Sequence, residues 1–143
     1  CEVLMKVKKL RPDAKLPHKA HAGDLGYDLF SDEGVAIFPH ETKVVKTGIA
    51  IQFPAGYGGF IKDRSSVATK KGLHTVAGVI DNGYTGEIGM ALYNGTESVI
   101  HIAPGEKIAQ LVLIPTVDFT IEEVIETISL DGRGDNGFGS TGN

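Results

Sequence analysis

A chain of 143 residues is the size of one domain and long enough to bury a core without disulfides or a structural metal. Its formal charge of −4, from 14 Lys plus Arg against 18 Asp plus Glu, comes with scattered rather than striped basic residues, which excludes a general nucleic-acid footprint. Cys1 is the only cysteine and has no internal partner, and no apolar run has the length of a membrane-spanning helix, so the expectation is a cytoplasmic or otherwise intracellular protein without a membrane partner.

Short apolar segments separated by turn signals run the length of the chain: EVLMKVKKL, GVAIFPH, KVVKTGIAIQFP, GGFIK, VAGVI, EIGMALYN, SVIHIAPG and KIAQLVLIPTV. Most carry Val or Ile and are too short for globular helices, and 19 glycines supply turns between them, so the pattern predicts a small all-β barrel or sandwich. EIGMALYN alternates best. ATKKGLH suits a helical turn or a crossover, and EEVIETI, ambiguous by itself, tilts toward strand in β-rich surroundings. The glycine-rich end SLDGRGDNGFGSTGN cannot bury enough surface to order itself: it is either a frayed tail or a lid whose Arg133, Phe138, Ser140 and Thr141 lie over a flat anionic ligand.

Two stretches hold residues suited to chemistry. In PAGYGGFIKDRSS, Arg64 offers a rigid donor fork, and Ser65 and Ser66 add hydroxyl and backbone donors suited to phosphate oxygens; the plain alternative is a turn with Arg64 paired to a carboxylate. No Walker loop or dinucleotide fingerprint is present. In GVIDNGYTGEI, Asp81 either caps its own turn or holds and deprotonates a water. Tyr84 is either a packing aromatic or a flat surface against which a sugar lies, rejecting an added hydroxyl by contact. Gln110 is polar within an apolar strand and needs a partner if it points inward. Asp24 and Asp28 are turn carboxylates, or one supports a magnesium-bound phosphate. His18, His21, His40, His74 and His101 lack metal-ligand spacing, and neither a GxSxG elbow nor an internal nucleophilic cysteine is present.

In order, AGDLGYDLFS, PAGYGGFIKDRSS, GVIDNGYTGEI, PGEKIAQLVLIP and RGDNGFGSTG resemble the motifs of dUTP pyrophosphatase, the trimeric dUTPase family, across residues 22–142. The resemblance implies a jelly-roll-like β-barrel over residues 1–130, a flexible C-terminal arm over 131–143, and a homotrimer with active sites at subunit interfaces. It implies magnesium-dependent hydrolysis of dUTP to dUMP and pyrophosphate by water attack at the α phosphorus, limiting uracil in DNA and supplying dUMP for thymidylate synthesis. Asp81 matches the water-activating aspartate and Tyr84 the aromatic on deoxyribose. Gly78, Val79, Ile80 and Asp81 match the backbone hairpin that reads uracil, and Gly89 a further backbone contact. Arg64, Ser65 and Ser66 match the phosphate segment, commonly supplied by a neighbouring subunit, and Gln110 the glutamine near the α phosphate. Arg133, Phe138, Gly139, Ser140 and Thr141 resemble the closing arm, and Asp28 an indirect support for Mg2+, for which no direct protein ligand is assigned. Two departures stand out: Asn136 rather than glycine precedes Gly137, and the first motif reads GDLGYDL, leaving Asp24 as an extra carboxylate. The rivals are a dCTP deaminase, which shares an RSS-like segment, and a nucleotide-binding β-trimer without catalysis.

Overall fold

The computed structural model describes residues 3–128, so the expectations on Arg133, Phe138, Gly139, Ser140 and Thr141 lie outside the described residues. Ten strands run through it: β1 (Lys6–Lys9), β2 (Gly26–Phe30), β3 (Val35–Ile37), β4 (Thr42–Gln52), β5 (Tyr57–Asp63), β6 (Leu73–Thr75), β7 (Val79–Ile80), β8 (Glu87–Asn94), β9 (Ile100–Ile102) and β10 (Lys107–Pro115). They pair as two four-stranded sheets, β1-β4-β8-β6 and β2-β10-β5-β7, and a ribbon, β3-β9, every pair antiparallel. The all-β expectation holds. Among the described residues, however, the strands do not close into one hydrogen-bonded ring, so the barrel is in this respect two sheets and a ribbon.

The core lies between the sheets because their strands alternate. β8 places Ile88, Met90, Leu92 and Asn94 inward and leaves Glu87, Gly89, Ala91 and Tyr93 partly open. Leu29, Ile49, Ile51, Ile61, Ile108 and Leu111 meet them from the other strands. Asn94 is fully buried yet satisfied: its Nδ2 donates to the carbonyls of Ile37 and Ser98 at 2.9 and 2.7 Å, and its Oδ1 accepts from the amide and hydroxyl of Thr96.

Three local features position the site. The β4–β8 register breaks between Lys46 and Ala50, where Gly48 has φ +73° and donates its amide to Glu87 Oε2 at 2.9 Å. Arg11 bridges the same Glu87 to Asp32. ATKKGLH forms a helical turn, Val67–Lys71, closed by Gly72 in the left-handed region at φ +71°. EEVIETI, in contrast, is neither strand nor helix: residues 116–128 have no strand partner among the described residues and expose Phe119, Ile121 and Ile125 almost completely. Apolar side chains gave the strand expectation there, but a strand also needs a neighbour to satisfy its backbone.

Candidate active site

β7 and β8 flank Asp81 and Tyr84 but do not pair with each other. β7 adds to the edge of β5, with Gly59 opposite Ile80 and Phe60 opposite Val79, whereas β8 belongs to the other sheet. Residues 81–86 are therefore a crossover between sheets. Close backbone approach requires the glycines here. Gly78 has φ +98°, and a Cβ on it would sit 2.8 Å from the Ile61 carbonyl oxygen; one on Gly58 would sit 2.7 Å from that of Ile80. Ala77 shares the left-handed region at φ +57°, a conformation that alanine seldom adopts.

Under this crossover opens a cavity of about 230 Å3, lined by Val44, Gly78, Val79, Asp81, Tyr84 and Gly89 among others. Its size lies below the roughly 300–1,000 Å3 of sites that enclose a drug-sized ligand, so it suits one part of a nucleotide rather than the whole. Asn82 fixes the crossover from outside by donating through Nδ2 to the carbonyls of Pro54 and Tyr57 at 2.9 and 2.8 Å. The Tyr84 hydroxyl donates to the Glu87 carbonyl at 2.8 Å, and its ring lies so close over Gly86 that a Cβ there would meet the phenolic oxygen at 2.6 Å. The ring is held yet 46% of the residue remains exposed, as a surface for a ligand requires. Asp81 does not cap its turn: among the described residues its exposed carboxylate makes no hydrogen bond or ion pair, and only its carbonyl is used, by the Tyr84 amide at 3.2 Å.

Arg64, Ser65, Ser66 and Gln110 gather elsewhere, around a pocket of about 390 Å3 that they share with Asp24, Asp28 and Lys107. Ser65 and Ser66 line the pocket and lead into the helical turn. The Arg64 carbonyl accepts from Val67 and Ala68, both at 3.0 Å, and the Ser65 carbonyl from the Thr69 hydroxyl at 2.7 Å. Arg64 Nε lies 3.3 Å from Asp28 Oδ1, so the ion-pair alternative is realised at the same time as the pocket. Gln110 donates to the Asp63 carbonyl at 2.8 Å. Asp24 accepts from the His21 amide at 3.0 Å, a local turn contact.

Asp63, immediately before Arg64, ties the two sheets together. Its Oδ1 accepts from the amide and hydroxyl of Thr75, both at 2.6 Å, and its Oδ2 lies 3.3 Å from His74 Nδ1. Burial alone would raise its pKa, but the Thr75 donors and His74 outweigh that and hold it below the ordinary carboxylate value. Sequence reasoning missed Asp63, Asn82, Glu87 and Lys107. A carboxylate directly before the Arg-Ser-Ser triplet was the one visible signal for Asp63; the partners of Asn82 are backbone carbonyls more than twenty positions away, which no local pattern marks.

The Asp81 cavity and the Arg64 pocket share no lining residue. Among the described residues no three His, Cys, Asp or Glu side chains converge as a metal site, and no helix is long and apolar enough to cross a membrane.

A profile of the dUTPase family matches residues 12–142. The chain belongs to the dUTPase family. It is 45% identical to the deoxyuridine 5'-triphosphate nucleotidohydrolase of Clostridium tetani over 143 residues, covering 99% of this chain and 98% of the relative. Among solved dUTPase structures, that of Staphylococcus bacteriophage 80alpha with dUPNHPP aligns at a TM-score of 0.92 with 34% identity, covering 98% of this chain and 99% of the phage protein. A mutant dUTPase of S. aureus phage phi11, described with a structural Mg(II) ion, aligns at 0.82 with 31% identity over 88% of this chain and 99% of its own.

Proposed function

We propose that the protein is a dUTP diphosphatase that hydrolyses dUTP to dUMP and pyrophosphate by water attack at the α phosphorus. The observation that carries this is the Asp81 carboxylate, without a partner among the described residues, beside the held, half-exposed Tyr84 ring over a cavity of about 230 Å3. The family match and the relatives named for this activity support it.

In this reading the base enters the cavity and is recognised by backbone groups of Gly78–Asp81, with Gly89 leaving room on the facing strand. The deoxyribose lies on Tyr84, where a ribose hydroxyl would collide. Asp81 accepts a proton from the water as it attacks in line with the departing pyrophosphate, so a positioned base and a good leaving group do the chemistry without a covalent intermediate. Arg64, Ser65 and Ser66 hold phosphate oxygens, and Gln110 orients the α phosphate.

The separation of the cavity from the phosphate pocket in one chain supports a reading in which two chains of a jelly-roll-like homotrimer complete each site. Residues 131–143 act as an arm beyond the 1–130 domain, with Arg133, Phe138, Gly139, Ser140 and Thr141 closing over the ligand. Magnesium fits as a companion of the triphosphate: Asp28 is already shared by Arg64 and Lys107, and Mg2+ binds water and phosphate oxygens more readily than a protein cage. When bound there it offsets charge on the phosphates. Asp28 stays an indirect support.

Incubation with Mg2+ and, separately, dUTP, UTP, dTTP and dCTP tests this reading. Stoichiometric dUMP and pyrophosphate from dUTP, with little turnover of UTP, is the expected result. Ammonia released from dCTP would instead place the chain's chemistry with the deaminases, and binding without product would make it a nucleotide-binding module.

A further inference from the structure

The pocket that holds Arg64 contains a second cation that the chemistry above leaves unused. Lys107 opens β10 three residues before Gln110, and its Nζ lies 3.6 Å from Asp28 Oδ2 while Arg64 Nε lies 3.3 Å from Asp28 Oδ1. One carboxylate, whose side chain is 17% exposed, thus holds two cations on the rim of a single pocket that Ser65, Ser66 and Gln110 also line. The acidic neighbour of Lys107 in sequence, Glu106, is not its partner, because Glu106 pairs with Lys71 and accepts the Ala103 amide at 3.0 Å.

Building on the dUTP reading, we propose that Lys107 is a further phosphate-binding residue of the triphosphate site. Asp28 serves as the anion that keeps Lys107 and Arg64 facing the pocket until substrate arrives. With Asp24 and Asp28 set against Arg64 and Lys107, the formal charges lining the pocket cancel, so the two cations do not face each other uncompensated. A polyphosphate offers more negative charge than one carboxylate and competes for the donor that moves more easily. That donor is Lys107: its ammonium is a point charge on a flexible stem, it is 44% exposed, and its contact with Asp28 is the longer of the two. The Arg64 guanidinium is planar, less exposed and set at the start of the helical turn. Lys107 therefore contributes by charge, and its contribution grows with the number of phosphates on the ligand.

The test compares wild type with Lys107→Gln and Lys107→Arg by calorimetric binding of dUMP, dUpNHpp and inorganic pyrophosphate, alongside dUTP kinetics. Lys107→Gln is expected to weaken dUpNHpp and pyrophosphate about tenfold, as the loss of one charge-assisted contact implies, while dUMP changes by less than about twofold. KM for dUTP rises more than kcat falls, and Lys107→Arg restores most of the affinity. Equal weakening of all three ligands would mean that Lys107 only braces β10 against β2 and would overturn the proposal, as would unchanged pyrophosphate affinity. The two readings separate cleanly: Lys107-dependent pyrophosphate binding by a wild-type protein that leaves dUTP intact would keep the phosphate contact and discard the dUTP hydrolase.

Discussion

Position 81 carries an exposed carboxylate on a segment where its polar neighbours are tied down: Asn82 to two carbonyls, Tyr84 to a third. An acceptor that meets no donor among the described residues is available to water, and a fixed crossover keeps it in one place. Asp81→Asn retains the shape while removing the base, so dUTP binding should stay within about threefold while kcat falls about 10²–10⁴-fold, the usual contribution of a positioned general base. Single-turnover kinetics with an affinity measurement separates these, and undiminished turnover would remove Asp81 from the chemistry. Tyr84 acts by shape. Tyr84→Ala should lower the ratio of kcat/KM for dUTP over UTP by about tenfold or more, since rejection of an added hydroxyl rests on contact with the ring; an unchanged ratio would place sugar discrimination elsewhere. Asp81, Tyr84 and Arg64 were singled out in the sequence by the short runs that hold them, each with a structural alternative beside the chemical one, and the fold places Asp81 and Tyr84 at one cavity and Arg64 at another pocket. Glu87 was not, although it accepts the Tyr84 hydroxyl through its carbonyl and the Gly48 amide through its carboxylate, because both roles depend on which strands meet.

Among the elements, the strands whose sequence alternates were the most legible. EIGMALYN became β8 with every second residue buried, and ATKKGLH became the helical turn that follows Arg64, Ser65 and Ser66. EEVIETI failed because apolar content does not supply a hydrogen-bonding neighbour, and residues 81–86 were harder still, since the pairing of β7 with β5 is invisible to local pattern. The link between β5 and β6 carries a pH dependence. Asp63, and Glu106 beside Lys71, both have folded pKa values held below their ordinary 3.8 and 4.5; for each, burial acts the other way and is outweighed by donors. A depressed carboxylate contributes stability above its unfolded pKa and loses it as pH falls through the folded one. The urea midpoint of the wild type should therefore drop as pH falls below about 4.5, and that of Asp63→Asn should drop less steeply from a lower neutral-pH value. Parallel profiles for the two proteins would show that Asp63 carries none of this acid sensitivity.

For the whole molecule, the proposed division of the site between two pockets has a direct consequence. If Asp81 of one chain works with Arg64 of another, two inactive variants repair each other. Unfolding and refolding an equimolar mixture of Asp81→Asn and Arg64→Ala should restore activity toward about a quarter of the wild-type level by random assembly, whereas each variant refolded alone stays inactive. No recovery in mixed oligomers would show that each chain completes its own site. The sequence indicated an all-β domain, but the arrangement of two sheets and a ribbon is set by long-range pairing that periodicity does not encode.

The central claim, that Asp81 directs water to the α phosphorus of dUTP, is tested most directly by running the reaction in water enriched in heavy oxygen and analysing both products by mass spectrometry. The account predicts one labelled oxygen in dUMP and none in pyrophosphate. Label in pyrophosphate would show attack at the β phosphorus and contradict the assignment.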